Sequence, residues 1–381
     1  MRILYVITRS FMGGAQTCVL DLIRAYSGSH EIGLVTGEPG DFTIEAAALG
    51  AQVFIVPQLV REPAPYSDIL ANRRLLGLIR DFHPDVVHCH TWKAGMLGRL
   101  AARWAGVPSV YTPHGLRFSP GAKISEKLIA FPSEWIAARV GDAVVAVSQF
   151  EFDLASRHHI GSVRSLYLIH NGIHDTPHRA RPGAGGELNA MMVARFMPPK
   201  DQKFVLHALS GLDLGMKLWF VGDGPCLQEV QAEADLHGLK DRVVFLGERR
   251  DIPEILANAH LFVLASRHEA LPISILEALR AGLPVIASDV GGVRECVRNG
   301  VTGITFASGN ITQLQTALLA LAQSPSRRAA MGAAGRQLYE EHFKVDQMLT
   351  KTLLVYQSLA RHESVDDSQA ARRTETENVR A

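Results

Sequence analysis

Thirteen short runs, apolar at nearly every position, recur along this 381-residue chain with helix-period segments between them. The first seven are ILYVI from Ile3, IGLV from Ile32, VFIV from Val53, DVVHC from Asp85, SVYT from Ser109, AVVAV from Ala143 and LYLI from Leu166. The other six are AMMVA from Ala190, LWFV from Leu218, VVFL from Val243, LFVL from Leu261, PVIA from Pro284 and GITF from Gly303. A run without polar alternation suits a strand covered on both faces, as in parallel βαβ units. The intervening segments, such as CVLDLIRAY and CLQEVQAEADLHG, carry helical periodicity. The pattern predicts an α/β chain with two Rossmann-like, doubly wound parallel sheets.

The rhythm breaks once. Residues 175–187, DTPHRARPGAGGE, are rich in proline and glycine with almost nothing to bury, which is linker composition. This predicts one unit over 1–174 and a second over 188–344, facing each other across a cleft, a common home for a small molecule. Residues 345–361 read as a helix that crosses back to the first unit. The tail 362–381 lacks an apolar stripe and reads as disordered. The net charge of +1 gives no electrostatic case for nucleic acid. Cys18, Cys89, Cys226 and Cys296 form no CxxC and read as buried thiols in a reducing compartment. No apolar run approaches the ~20 residues that cross a bilayer. MRILYVITRS reads as a first strand rather than a signal-peptide core, so the expected location is the cytoplasm.

The densest chemical signal is SRHEALPISILEALRAGLPVIASDVGG, residues 266–292. Pro272 favours a first helical turn and Gly282 a stop, so a helix begins just beyond Glu269 with free N–H groups at the strand ends, an anion site. Glu277 falls about five residues in, roughly 7 Å along the axis. It is either a solvated helix residue or, among Ile275, Leu276, Ala278 and Leu279, a carboxylate that needs a partner such as a ribose diol. Arg195 and Lys200 in ARFMPPKDQK follow a buried strand; they are either two surface charges or a phosphate clamp of fork and point charge. Gly13 and Gly14 in FMGGAQ mark a turn or a close backbone approach to a ligand. The VGDGP turn at Gly222 is read the same two ways. His114 in YTPHG sits at a strand end, as a structural or a functional imidazole. His88 and His90 in HCHTW are a poor metal set without a carboxylate pair. Ser148 lacks the glycines of a nucleophile elbow.

Taken together, Arg195, Lys200, the GDGP turn, Glu269 and Glu277 with seven residues between, and RAGLPVIASDVGGVRECVRNGVTG resemble retaining glycosyltransferases of family 4, which have the two-domain GT-B fold. YTPHGLRF is similar to bacterial exopolysaccharide and lipid-linked glycan transferases. The resemblance implies a nucleoside-diphosphate sugar donor, here expected to be a UDP-sugar, and a glycan or lipid-linked glycan acceptor. It implies that Arg195 and Lys200 bind the diphosphate, Glu277 the ribose and Glu269 the donor sugar. Leu271, Pro272 and Ile273 would meet the phosphates with their backbone, Gly13, Gly14 and Gly222 would border them, and His114 would lie near the reacting carbon. Ala270 departs from the glycine common there. A fixed guanidinium and ammonium can stabilise a departing diphosphate, so no metal or other cofactor is expected. A UDP-sugar 2-epimerase of the same architecture and a non-catalytic bilobal sugar-binding protein are the alternatives. Residues 93–139 carry seven basic and two acidic residues. Lys123, Lys127, Arg117 and Arg139 among Ile124, Leu128, Ile129, Phe131, Trp135 and Ile136 suit either peripheral contact with an anionic membrane or an amphipathic core helix pair broken at Pro132.

Overall fold

The computed structural model describes residues 1–120, 124–162 and 165–361. The predicted tail at 362–381 and Lys123 lie outside the described residues, as do the side chains of Ile124, Lys127 and Ile129. Each of the thirteen apolar runs forms a strand, with ends shifted by no more than two residues. The first sheet contains β1 (Arg2–Ile7), β2 (Glu31–Thr36), β3 (Gln52–Ile55), β4 (Val86–His90), β5 (Ser109–Thr112), β6 (Ala143–Ala146) and β7 (Leu166–Leu168). Its order is β3-β2-β1-β4-β5-β6-β7. The second contains β8 (Leu188–Val193), β9 (Met216–Val221), β10 (Val243–Phe245), β11 (Leu261–Leu264), β12 (Val285–Ser288) and β13 (Gly303–Phe306), in the order β10-β9-β8-β11-β12-β13. Every pairing is parallel.

The helices of the first lobe are α1 (Gly14–Tyr26), α2 (Asp41–Ala48), α3 (Pro65–Phe82), α4 (Trp92–Ala105), α5 (Ile124–Ala137) and α6 (Gln149–Arg157). Those that follow are α7 (Gln202–Ser210), α8 (Leu227–Leu236), α9 (Ile252–Ala257), α10 (Ile273–Ala281), α11 (Val293–Cys296), α12 (Ile311–Ala322), α13 (Pro325–His342) and α14 (Val345–Ala360). The sheets are covered on both faces, which is why their strands do not alternate. In β1, Leu4 and Val6 enter one core while Ile3, Tyr5 and Ile7 enter the opposite one.

After α13 the chain returns to the first lobe. In α14, Val345, Met348, Val355 and Tyr356 complete the core on the Ile3–Tyr5–Ile7 face. Tyr26 donates its hydroxyl to the Leu349 carbonyl at 2.6 Å, and Tyr356 meets His88 Nδ1 at 2.5 Å. Residues 175–187 have no helix or strand, yet they are not a free tether. Asp175 is gripped by Arg336 at 2.6 Å, which holds its carboxyl below the usual range, and Arg328 donates to the Pro182 carbonyl at 2.6 Å.

Three further details differ from the sequence reading. The helix α5 runs through Pro132 instead of breaking there. The missing N–H strands the carbonyl of Leu128, a residue exposed enough for water to serve it. Lys93 and Arg99 leave the basic patch. Lys93 is buried against Asp68 at 2.6 Å, and Arg99 against Glu134 at 2.8 Å. Cys18, Cys89 and Cys296 are buried thiols, whereas Cys226 is only partly covered, because it caps the start of α8. Among the described residues no helix is long and apolar enough to cross a membrane.

Candidate active site

In an open parallel sheet, ligands bind beyond the strand ends where the order reverses. The reversals here lie between β1 and β4 and between β8 and β11. The loops leaving those strands carry the Phe11–Gly14 segment, the Arg195–Lys200 segment and the segment from Ser266 to Pro272. The topology thus brings three of the four strongest sequence signals to the mouths of the two sheets.

Two helix N-termini meet there. α1 starts at an N-cap Gly13 and α10 at an N-cap Pro272; neither cap is a side chain, and neither first turn holds an acid. Their first N–H groups have no intrahelical partner and carry the positive end of the helix dipole. The lobes touch at this point: a Cβ on Gly14 would stand 3.2 Å from Ile273 Cγ1, so any larger residue would push α1 away from α10. Gly13 is extended and needs no glycine for its backbone angles. Leu271 is buried, and its carbonyl accepts from Asn171 Nδ2 of the first lobe at 3.2 Å.

The cations stand at the same strand ends. The Arg195 guanidinium lies over the Phe11 ring of the opposite lobe, 3.9 Å from its centroid. Burial lowers its pKa while Glu248 and Asp223 raise it; a guanidinium stays charged regardless. Gln202, buried at the start of α7, donates to the Arg195 carbonyl at 2.9 Å and fixes that turn. Lys200 forms a bridge with Ser266, and Arg267 N donates to the Pro199 carbonyl at 3.0 Å. This stitching delivers the Lys200 ammonium to Glu269, a buried carboxylate, in a direct ion pair. Gly222 has φ +133, and a Cβ there would strike the Ala194 carbonyl, so the GDGP turn can lie against the Arg195 loop only with glycine.

Glu277 is one turn beyond Ile273 and so shares its cleft-facing side. It has no hydrogen bond to any described residue, and burial pushes its carboxyl up to about 7 against the pull of Arg280. An acid whose folded pKa exceeds its unfolded value binds its proton more tightly when folded. Stability is therefore lost as pH rises from the ordinary 4.5 to about 7. Glu277→Gln removes that loss. Without ligand, the variant should melt a few degrees above the parent at pH 8 and level with it near pH 4.5, by differential scanning calorimetry. Equal melting temperatures at pH 8 would place Glu277 in ordinary solvent.

His114 follows β5 with φ 54, and its Nε2 meets His90 Nδ1 at 2.9 Å. Burial pulls its pKa down to about 4, so at neutral pH it is an uncharged hydrogen-bonding group. His88 and His90 lie buried side by side in β4, committed to Tyr356, Thr112 and His114, and do not gather around a metal position. Ser148 is the N-cap of α6, accepting from Glu151 N at 3.1 Å.

Sequence reasoning missed Glu151 and Glu295. Glu151 accepts from Gly115 N at 2.8 Å and Val147 N at 3.0 Å and so holds the turn that carries His114. Its only sequence signal is the Ser148-x-x-Glu151 spacing of a helix start. Glu295, from the second lobe, accepts from Gln149 N at 2.7 Å, Phe150 N at 3.1 Å and His170 Nε2 at 2.8 Å. It therefore caps a first-lobe helix across the cleft, a contact between residues about 145 positions apart that no local pattern announces.

Comparisons with known proteins bear on the fold and the family. Residues 12–176 match the family model Glycosyltransferase Family 4, and residues 176–338 match Glycosyl transferases group 1. Over 309 residues the chain is 30% identical to the UDP-Gal:alpha-D-GlcNAc-diphosphoundecaprenol alpha-1,3-galactosyltransferase of Escherichia coli, covering 76% of this chain and 79% of that one. It is 31% identical over 306 residues to the alpha-maltose-1-phosphate synthase of Mycolicibacterium smegmatis, covering 72% and 79%. Among solved structures, Anabaena HepE in complex with UDP and glucose superposes with a TM-score of 0.81 at 21% identity, over 93% of this chain and 99% of that one. The sucrose-phosphate synthase of Thermosynechococcus elongatus gives 0.81 at 17% identity, over 95% and 100%.

Proposed function

Because the chain belongs to the family 4 glycosyltransferases, we propose that it moves a sugar from a UDP-sugar, with retention, to a lipid-linked glycan in bacterial surface polysaccharide synthesis. One observation carries this reading: two uncapped helix N-termini, Arg195 and the Lys200–Glu269 pair stand at the strand ends where the two lobes meet. Backbone N–H groups with a guanidinium and an ammonium suit a diphosphate. The E. coli relative is named for a UDP-sugar donor and a diphosphoundecaprenol-linked acceptor, and the HepE crystal holds UDP and glucose.

Departure of UDP concentrates negative charge on the β-phosphate, which Arg195 and Lys200 are set to stabilise. Lys200 exchanges Glu269 for the phosphate, or shares itself between them, and Glu269 turns to the sugar hydroxyls. Neutral His114 serves as a hydrogen-bonding group beside the sugar and not as an acid. The departing phosphate takes the acceptor proton at the front face. These cations make a metal unnecessary in this proposal.

The acceptor side lies in the first lobe, where Leu128, Trp135 and Ile136 of α5 are exposed and Arg139 covers the Trp135 ring at 3.1 Å. Apolar side chains beside a cation support peripheral docking on the anionic cytoplasmic face of the membrane.

The test is a thermal-shift series of nucleoside diphosphates and their sugars, followed by transfer to a polyprenyl-diphosphate-linked sugar with EDTA present. A UDP-sugar should raise the melting temperature, and label should pass to the acceptor undiminished by EDTA. Conversion of the sugar without any acceptor would indicate a 2-epimerase. Stabilisation without transfer or slow hydrolysis would indicate a binding protein.

A further inference from the structure

Outside the cleft, α7 and α8 bring together a side-chain set that the transfer reaction does not use. Glu233 on α8 and His237, the residue that ends that helix, are four residues apart and face the same way, and α7 packs alongside with His207. Both imidazoles aim Nε2 at the same carboxylate oxygen. Glu233 Oε1 lies 2.7 Å from His207 and 3.3 Å from His237. The two rings are 4.8 Å apart at 65°, and the three ligand atoms all lie within 4.8 Å of one another. Two imidazoles and a carboxylate with their ligand atoms this close can enclose a single ion.

We propose that His207, Glu233 and His237 bind a divalent transition metal, zinc by ligand type, bridging α7 and α8. Two imidazoles and a carboxylate are zinc ligands, at about 2.0–2.2 Å from the metal, which sets neighbouring ligand atoms roughly 3.3 Å apart in a tetrahedron. His237 already stands at that separation from Glu233; His207 must retreat from Glu233 by about 0.6 Å, and the two Nε2 atoms, which lie within 4.8 Å of each other, must come to the same spacing. Each imidazole gives its Nε2 lone pair and keeps a proton on Nδ1. Water takes the fourth position from the solvent side, where His237 is exposed. Lys203 does not defeat the site: its ammonium pairs with Glu229 at 2.5 Å and lies 3.9 Å from the other oxygen, Glu233 Oε2.

The location gives the metal a consequence. α7 begins immediately after Lys200 and α8 immediately after the GDGP turn, so the two loops that border the proposed donor site are the N-terminal ends of the bridged helices. His207 lies six residues from the Asp201 cap, roughly 9 Å along the axis. A bound ion is thus too remote to act on the diphosphate and instead braces the two loops against each other.

The experiment titrates the EDTA-treated, desalted full chain with Zn²⁺ by calorimetry and follows thermal unfolding with and without the ion. The expected result is one high-affinity zinc per chain, a melting temperature a few degrees higher, and four-coordinate d–d absorption when Co²⁺ replaces zinc. His207→Ala and His237→Ala should each weaken binding at least about tenfold. His178→Ala, at another surface histidine–carboxylate pair, should leave it unchanged. His207→Gln and His237→Gln repeat the test with a hydrogen-bonding side chain that keeps the surface packing. No zinc heat with the parent, or binding retained in the His207→Ala, His237→Ala double variant, overturns the proposal. None of these readouts depends on sugar transfer.

Discussion

Replacing Lys200 by alanine should lower turnover at saturating donor by roughly a hundredfold or more, the usual cost of removing one fixed donor from a developing oxyanion. The ammonium is held by its own turn, by the Ser266 bridge and by Glu269, so it cannot be replaced by a mobile neighbour. The effect belongs to the leaving step: charge on the β-phosphate grows only as the glycosidic bond breaks. The turnover number should therefore fall much further than the donor KM rises. Removing Lys200 also leaves the buried Glu269 unpaired, so the melting temperature of the variant must be measured beside its kinetics. Turnover within threefold of the parent, in a folded variant, would end the diphosphate assignment.

The second large effect falls on binding. Glu277→Ala should weaken the affinity for UDP and for the donor roughly tenfold to a hundredfold, because a hydrogen bond to a charged group contributes about 1.5–3 kcal/mol. Turnover at saturation should change little. The affinity carries a pH signature. Since burial holds the free carboxyl near 7, and a ribose diol favours the carboxylate, UDP should bind more tightly at pH 8 than at pH 6. The variant should lose that dependence. Calorimetry at the two pH values reads both effects, and an unchanged affinity at pH 8 would remove Glu277 from the ribose.

The strands were legible because each is a short, unbroken apolar run, and double burial leaves no other pattern for a parallel strand. The charged residues at the mouths of the sheets were legible as local signals at strand ends, since a doubly wound sheet sends those ends to one side. What joins them was not. Phe11 beneath Arg195 and Glu295 capping α6 pair residues far apart in sequence. Nor does any spacing foretell that Lys200 pairs with Glu269. Composition misled where burial decided the outcome. Lys93 and Arg99 count among the seven basic residues of 93–139 but are sunk against Asp68 and Glu134. The Pro- and Gly-rich segment reads as slack chain but is fastened by Arg336 and Arg328. Glu233 and His237 carry a readable spacing; their third partner, His207, comes from another helix.

The return of α14 to the first lobe means that the polypeptide passes between the halves twice. Two adjacent straps let a body fold like a book but resist rotation about its long axis. Opening should thus be a one-dimensional movement that keeps Gly14 opposite Ile273 on every closure. It also makes the halves inseparable by simple truncation. A fragment ending at residue 174 would expose the apolar strip that Met348, Val355 and Tyr356 cover, and should aggregate unless residues 345–361 are supplied as a peptide.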